Sequence, residues 1–201
     1  MNILELHANR LNLPRLMILT GLAFMAGGFL RTLLEWLLSQ SSGGENGLLI
    51  FLVIWLGFIM EAAIGMAALG YLLRRFYPFR KLWLAGTGAF ALGVLIPALL
   101  INQFFYTLLP LPGFLVGLFF GFLLKERAGR ESVYLWITLG FLVCQVLVFF
   151  ARPDAPWAIW LFDNFGSYSL TFLMHMIQNF IIGIFTALGV GFMLRKKMSL
   201  E

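Results

Sequence analysis

Residues 48–73 read LLIFLVIWLGFIMEAAIGMAALGYLL, with Glu61 the one ionisable side chain among them apart from the Tyr71 phenol. A helix that crosses about 30 Å of hydrocarbon needs about 20 mostly apolar residues, and this stretch supplies them without a break. Five further stretches qualify or nearly so. Together they give six spans, at about residues 16–38, 48–73, 82–108, 111–124, 133–151 and 168–194, within a single transmembrane domain over residues 1–201. The intervals carry turn chemistry: Ser41 to Asn46, Pro78 with basic neighbours, Pro110-Leu111-Pro112, Glu126 to Glu131, and Arg152 to Pro156.

The composition agrees. Of 201 residues, 61% are hydrophobic and 11% charged, and the mean hydropathy is +0.93. Soluble domains average about 45–50% apolar and about 25% charged, and a soluble fold of this size could not hide so much apolar surface. A soluble enzyme, a DNA-binding module and a disordered tail are thereby excluded. The lone Cys144 excludes an intrachain disulfide or a cysteine-built metal centre. His7 lies in the polar head and His175 in the last span, so a bis-histidine haem is not expected, and neither is any other cofactor or a metal. A basic, polar head leads into the first span with no small-residue cleavage site, so no cleaved signal peptide is expected.

Twelve of the 14 basic residues fall on one side of the six-span layout, against Arg152 on the other and Arg31 inside a span. The positive-inside rule places that side, and both termini, in the cytoplasm of a plasma membrane. The net charge of +5 is therefore a topology signal and calls for no nucleic acid. Tyr71, Tyr77, Trp83, Tyr134 and Trp136 fall at the inner boundary of this layout, and Trp36, Tyr106, Trp157, Trp160 and Tyr168 at the outer one. The fold expected is an all-α integral membrane protein: six transmembrane helices, N-in and C-in, with a short fourth span and an interfacial helix over Ala155–Gly166 before the sixth.

Small residues recur at four-residue spacing, which lets helix backbones approach closely in lipid. The ladders are Gly113/Gly117/Gly121, Gly183/Ala187/Gly191, Ala85/Ala89/Gly93, Ala63/Ala67 with Gly65, and Ala23/Gly27, which continues into Arg31 and Glu35. They read as packing devices, with the Gly113 ladder the one best suited to a partner subunit. Pro97, followed by Asn102 and Gln103, is expected to kink the third span.

Ionisable and amide side chains inside a membrane are costly and mark function by default. Arg31, Glu35, Asn102, Gln103, Gln145 and His175 fall in the outer half of the layout, and Glu61, Gln178 and Asn179 near its middle. This one-sided distribution suggests a vestibule open to the outside. The candidate substrate-binding set is Arg31, Glu35, Glu61, Asn102, Gln145, His175, Gln178 and Asn179. Arg31 and Glu35, four residues apart, can pair along one helix; alternatively Arg31 offers a two-pronged donor set to an anion. Glu61 has no basic residue within reach on its own helix. It is expected to act as a protonation-switched residue, or as a neutral carboxyl bonded to Gln178, Asn179 or a backbone carbonyl. His175 could pair with Glu61 or Glu35.

Catalytic templates are missing: no His-Glu-x-x-His, Gly-x-Ser-x-Gly or nucleotide-binding lysine occurs. Ser167 and Ser169 read as helix caps. Residues 166–175 resemble the late helix of some membrane acyltransferases, but the early His and Arg-Asp signatures of that group are absent from the first two spans. In size and layout alone, the chain resembles the substrate-binding subunits of energy-coupling-factor vitamin transporters. That resemblance implies solute capture, with an ATPase or other membrane subunit docking on cytoplasmic loops 74–81 and 125–131. The expectation is thus a small transport protein, or the substrate-binding subunit of one, that takes a polar or anionic solute and is not an enzyme. The alternatives are an accessory or assembly subunit of a larger complex and an intramembrane enzyme acting on lipid.

Overall fold

The computed structural model describes residues 11–41, 47–101, 110–126, 129–150, 156–166 and 168–200. Among them are seven helices: α1 (Leu13–Ser41), α2 (Gly47–Leu72), α3 (Phe79–Ile101), α4 (Pro110–Leu124), α5 (Arg130–Phe150), α6 (Pro156–Phe165) and α7 (Ser169–Met198). Five of them, α1, α2, α3, α5 and α7, are long and apolar enough to cross a membrane, and α4 is a shorter apolar helix. This is the composition of a multi-pass membrane protein.

Residues 110–112, expected as a turn, form the first turn of α4. Proline is tolerated there because the first backbone N–H groups of a helix have no partner within it. Even so, the 15 residues of α4 reach only about 22 Å. The helix α3 continues through Pro97 to Ile101, while Asn102, Gln103 and the rest of the expected third span lie outside the described residues. A ten-residue helix, α6, forms within the segment expected to be helical before the last span. Gly166, at φ +85°, turns the chain from α6 into α7 in a conformation that favours glycine, and the Ser169 hydroxyl lies 2.7 Å from the Gly166 carbonyl and 3.1 Å from that of Leu161, able to donate to either.

The six longer helices form a closed ring in the order α1–α2–α3–α4–α5–α7 and back to α1, while α6 rests on α7. Side chains fill its middle: Phe24, Phe90 and Phe141 pack in succession as tilted ring pairs at separations of 5.4 and 6.2 Å, among buried Met66, Val116, Phe120 and Ile137. The outer surface stays apolar, with Ile18, Leu22, Leu56, Leu84, Phe122 and Leu135 exposed, as lipid contact requires.

Glycines set the seams. A Cβ on Gly183 of α7 would lie 2.8 Å from the Gly21 Cα of α1, and one on Gly117 of α4 would lie 3.1 Å from the Tyr134 Cα of α5. The Gly113 ladder is therefore occupied inside the molecule, against Phe141 and Tyr134 of α5. It is not held open for a partner subunit.

The N-terminal end of α1 meets the last turn of α7 at one pole of the ring, where Arg195 donates to the Leu11 carbonyl over 3.2 Å. At the same pole Tyr77, from the α2–α3 turn, donates to Glu126 Oε1 over 3.0 Å, with the Leu124 carbonyl 3.3 Å from the same hydroxyl. Lys81 of α3 and Lys197 of α7 each lie 3.2 Å from the Glu126 carboxylate. Desolvation raises the proton affinity of Glu126, but the hydrogen bonds from Lys81, Tyr77 and Lys197 outweigh it and hold the carboxyl below its usual range. Burial pushes the Tyr77 phenol up, which keeps it a donor. One carboxylate thus ties α3, α4 and α7 together across this basic pole.

Candidate functional site

Arg31, two-thirds of the way along α1, is buried. Its Nε donates to Glu35 Oε1 over 2.7 Å, one turn further on, so the pair expected along the first span forms. Its Nη1 reaches Glu61 Oε2 of α2 over 3.5 Å. The guanidinium carbon also lies 3.5 Å over the Phe58 ring, a cation–π contact that favours the charge in a dry setting. Glu61, read from sequence as lacking a basic partner, therefore has one. Helical reach along α2 could not find it, because the guanidinium arrives from the neighbouring helix.

The approach is built from reciprocal glycines. On α1, Gly27 precedes Arg31 by one turn; on α2, Gly57 precedes Glu61 by one turn. The helices run antiparallel, so each glycine faces the other helix's charged residue. A Cβ on Gly27 would lie 2.8 Å from Glu61 Cα, and one on Gly57 would lie 2.7 Å from Arg31 Cγ. Gly28, beside Gly27, opens the other flank of α1, where the Asn179 side chain of α7 packs against it. Asn179 is buried, with its side-chain amide beside the Glu61 carboxylate. A two-residue glycine step thus brings α2 and α7 to the same point on α1.

One turn above, the Thr32 hydroxyl oxygen lies 2.9 Å from the Gly28 carbonyl and 2.9 Å from His175 Nδ1. Its one hydrogen serves one of these acceptors at a time: given to Gly28, it leaves a protonated Nδ1 as the donor to Thr32. His175 therefore pairs with Thr32 rather than with Glu61 or Glu35. Gln178 is half-buried, and its carbonyl accepts from Cys144 Sγ of α5 over 3.3 Å. Gln145 is half-buried on α5, and Asn102 lies outside the described residues. The structure thus gathers Arg31, Glu35, Glu61, Asn179 and His175 on three adjacent helices.

Sequence reasoning passed over Thr32, Gly28, Gly57 and Phe58. The signal available was the matching glycine-to-charge spacing, Gly27/Arg31 on one span and Gly57/Glu61 on the next.

Chemically, one guanidinium faces two carboxylates, a formal charge of −1 if both are ionised. The Glu61 side chain is 3% exposed and that of Glu35 22%, so Glu35 is the more accessible of the two carboxylates. Among the described residues no group of three His, Cys, Asp or Glu side chains is placed to hold a metal ion. Cavities of about 650 and 540 Å³ lie at the basic pole, away from this cluster. Compared with known proteins, the chain matches no family model, no curated protein and no solved structure.

Proposed function

We propose that the chain is a small membrane transport protein, or the membrane-embedded substrate-binding subunit of a transporter, and that the Arg31 cluster is its ligand and coupling site. In this reading α4 crosses as a sixth, thin span, and α6 lies in the outer interface. The basic pole faces the cytoplasm of a plasma membrane, with both termini on that side.

The observation that carries the proposal is the second carboxylate. A buried arginine that serves only to hold helices together is satisfied by one acidic partner, and each further ion adds a desolvation cost. Here Glu61 adds to Glu35, and Asn179 adds a neutral amide to the same carboxylate. Such a surplus suits a site where partners are exchanged. A polar or anionic solute entering past Glu35 would take one prong of the Arg31 guanidinium. The displaced carboxylate, left without its counter-charge in a dry interior, would be neutralised by a proton, so solute and proton would move together. A nucleotide-binding motif is absent from the chain, so an ATP-driven version needs a partner, docked at loops 74–81 and 125–131.

The test is purification from the native membrane in mild detergent, with mass spectrometry of all retained proteins and small molecules, for wild type and Arg31→Gln. The expected result is a stoichiometric small polar or acidic metabolite, with or without an ATPase, that Arg31→Gln loses while it elutes as a folded species. Recovery of both proteins inside one large complex with no metabolite would overturn the proposal in favour of an accessory subunit. Turnover of a lipid that depends on His175 would overturn it in favour of an enzyme.

A further inference from the structure

The basic pole holds two kinds of basic side chain. Lys81, Lys196 and Lys197 are ion-paired with Glu126 or Glu131, and Arg195 caps the Leu11 carbonyl. Arg15, Arg74, Arg75, Arg80, Lys125 and Arg130 form no ion pair with any described residue, and the first three line one cavity of about 650 Å³ between the start of α1 and the end of α2.

The lining segments, residues 11–16 and 71–76, bring no carboxylate to that cavity. The Arg74 guanidinium carbon lies over the Tyr71 ring, 3.8 Å from its centre. A contact of this kind covers one side of the guanidinium and leaves N–H groups to meet an anion. The cavity also contains the first turn of α1, where Asn12 Oδ1 accepts from the Arg15 N–H over 3.1 Å. The 29-residue α1 adds the positive end of its dipole. Three arginines and a helix N-terminus around one cavity, with no carboxylate among the described residues that line it, suit a phosphate group.

The surroundings favour a phosphate carried by lipid. From Arg15 the same face of α1 continues through Ile18, Leu19 and Leu22, all exposed, so an apolar track leads from the cavity along the helix. Tyr71, 57% exposed, stands at the rim, at the level where the long helices end. We infer that this cavity binds the phosphodiester headgroup of an anionic phospholipid, whose acyl chains lie along Ile18 and Leu22. The inference is independent of the transport reading.

The experiment is native mass spectrometry of the detergent-purified full chain, mixed with equal amounts of phosphatidylglycerol and phosphatidylcholine. Wild type is expected to retain phosphatidylglycerol preferentially, and Arg74→Gln to lower that preference by about fivefold, the usual worth of one basic residue at an anionic surface. Arg80→Gln, in the first turn of α3 and not lining the cavity, is expected to leave it unchanged. The combined Arg15, Arg74 and Arg75 to Gln variant should abolish it, and if that variant is not recovered folded, the two single variants carry the comparison. Equal retention of both lipids by wild type would overturn the inference. So would equal losses in Arg74→Gln and Arg80→Gln, which would mean diffuse attraction without a site. Displacement of the lipid by millimolar inorganic phosphate would overturn the lipid assignment and make the ligand a soluble phosphate.

Discussion

Replacing Gly27 by alanine tests the geometry on which the polar cluster depends. The added Cβ would lie 2.8 Å from Glu61 Cα and 2.9 Å from the Glu61 carbonyl oxygen. Both are backbone atoms, which cannot rotate away. Relief to an ordinary contact of about 3.5–4 Å requires α1 and α2 to part by about 1 Å. Overpacking of this kind costs about 1–3 kcal/mol. The same displacement stretches the Arg31–Glu61 approach, already 3.5 Å, beyond hydrogen-bonding distance. With about 2–4 °C of melting temperature per kcal/mol for a chain of this size, Gly27→Ala should melt about 2–12 °C below wild type. Gly88→Ala is the control, since its Cβ would meet only Leu123 Cδ1, at 3.7 Å. It should melt at or slightly above the wild-type temperature. The protein carries its own reporter: Cys144, the single cysteine, is buried, so a thiol-reactive fluorophore in detergent reads unfolding directly. If Gly27→Ala and Gly88→Ala melt within a degree of each other, the close α1–α2 approach is wrong.

In the cluster itself, Arg31→Met strands Glu35 and Glu61 and should destabilise by about 3–5 kcal/mol; adding Glu61→Gln should recover part of that loss in the same thiol assay, and strict additivity would show that the two do not interact. Gly117→Leu should prevent recovery of folded monomer, because the side chain would enter the Tyr134 backbone of α5; normal yield on size exclusion would contradict the α4–α5 seam. The Glu126 carboxyl is held below its unfolded value, so its contribution is present above about pH 4.3 and is lost as pH falls through the lower folded value. Melting curves of wild type should therefore drop towards those of Glu126→Gln in acid and separate from them near neutrality, and a gap that widens in acid would reverse the assigned sign.

Much of the architecture was readable because membrane crossing imposes long apolar runs, and because small residues at four-residue spacing announce seams. The Arg31–Glu35 pair was readable for the same reason: it is local, one turn along a single helix. Arg31–Glu61, Thr32–His175 and the Tyr77–Glu126–Lys197 junction were not, because each depends on the register between separate helices. A one-turn slide of α2 against α1 would have given Glu61 a different neighbour with no change in composition. The Gly113 ladder was read as a possible docking face because a glycine stripe looks the same whichever partner, internal or external, covers it. Charge counting placed the basic residues together but could not divide those consumed by Glu126 and Glu131 from the three arginines around the open cavity.

The ring closes through α1 and α7, the first and last of its helices to leave the ribosome. Arg31 gains Glu61 as soon as α2 is made, so its charge is covered early. The flank of α1 that holds Gly21, Gly28 and Thr32 waits for Gly183, Asn179 and His175, and so stays open until nearly the whole chain has been synthesised. During that interval it is a vacant helix-docking groove in the bilayer, open to any passing segment with small residues. Truncated chains that end before α7 are therefore the species most prone to mispairing, and the natural clients of whatever chaperone attends membrane insertion.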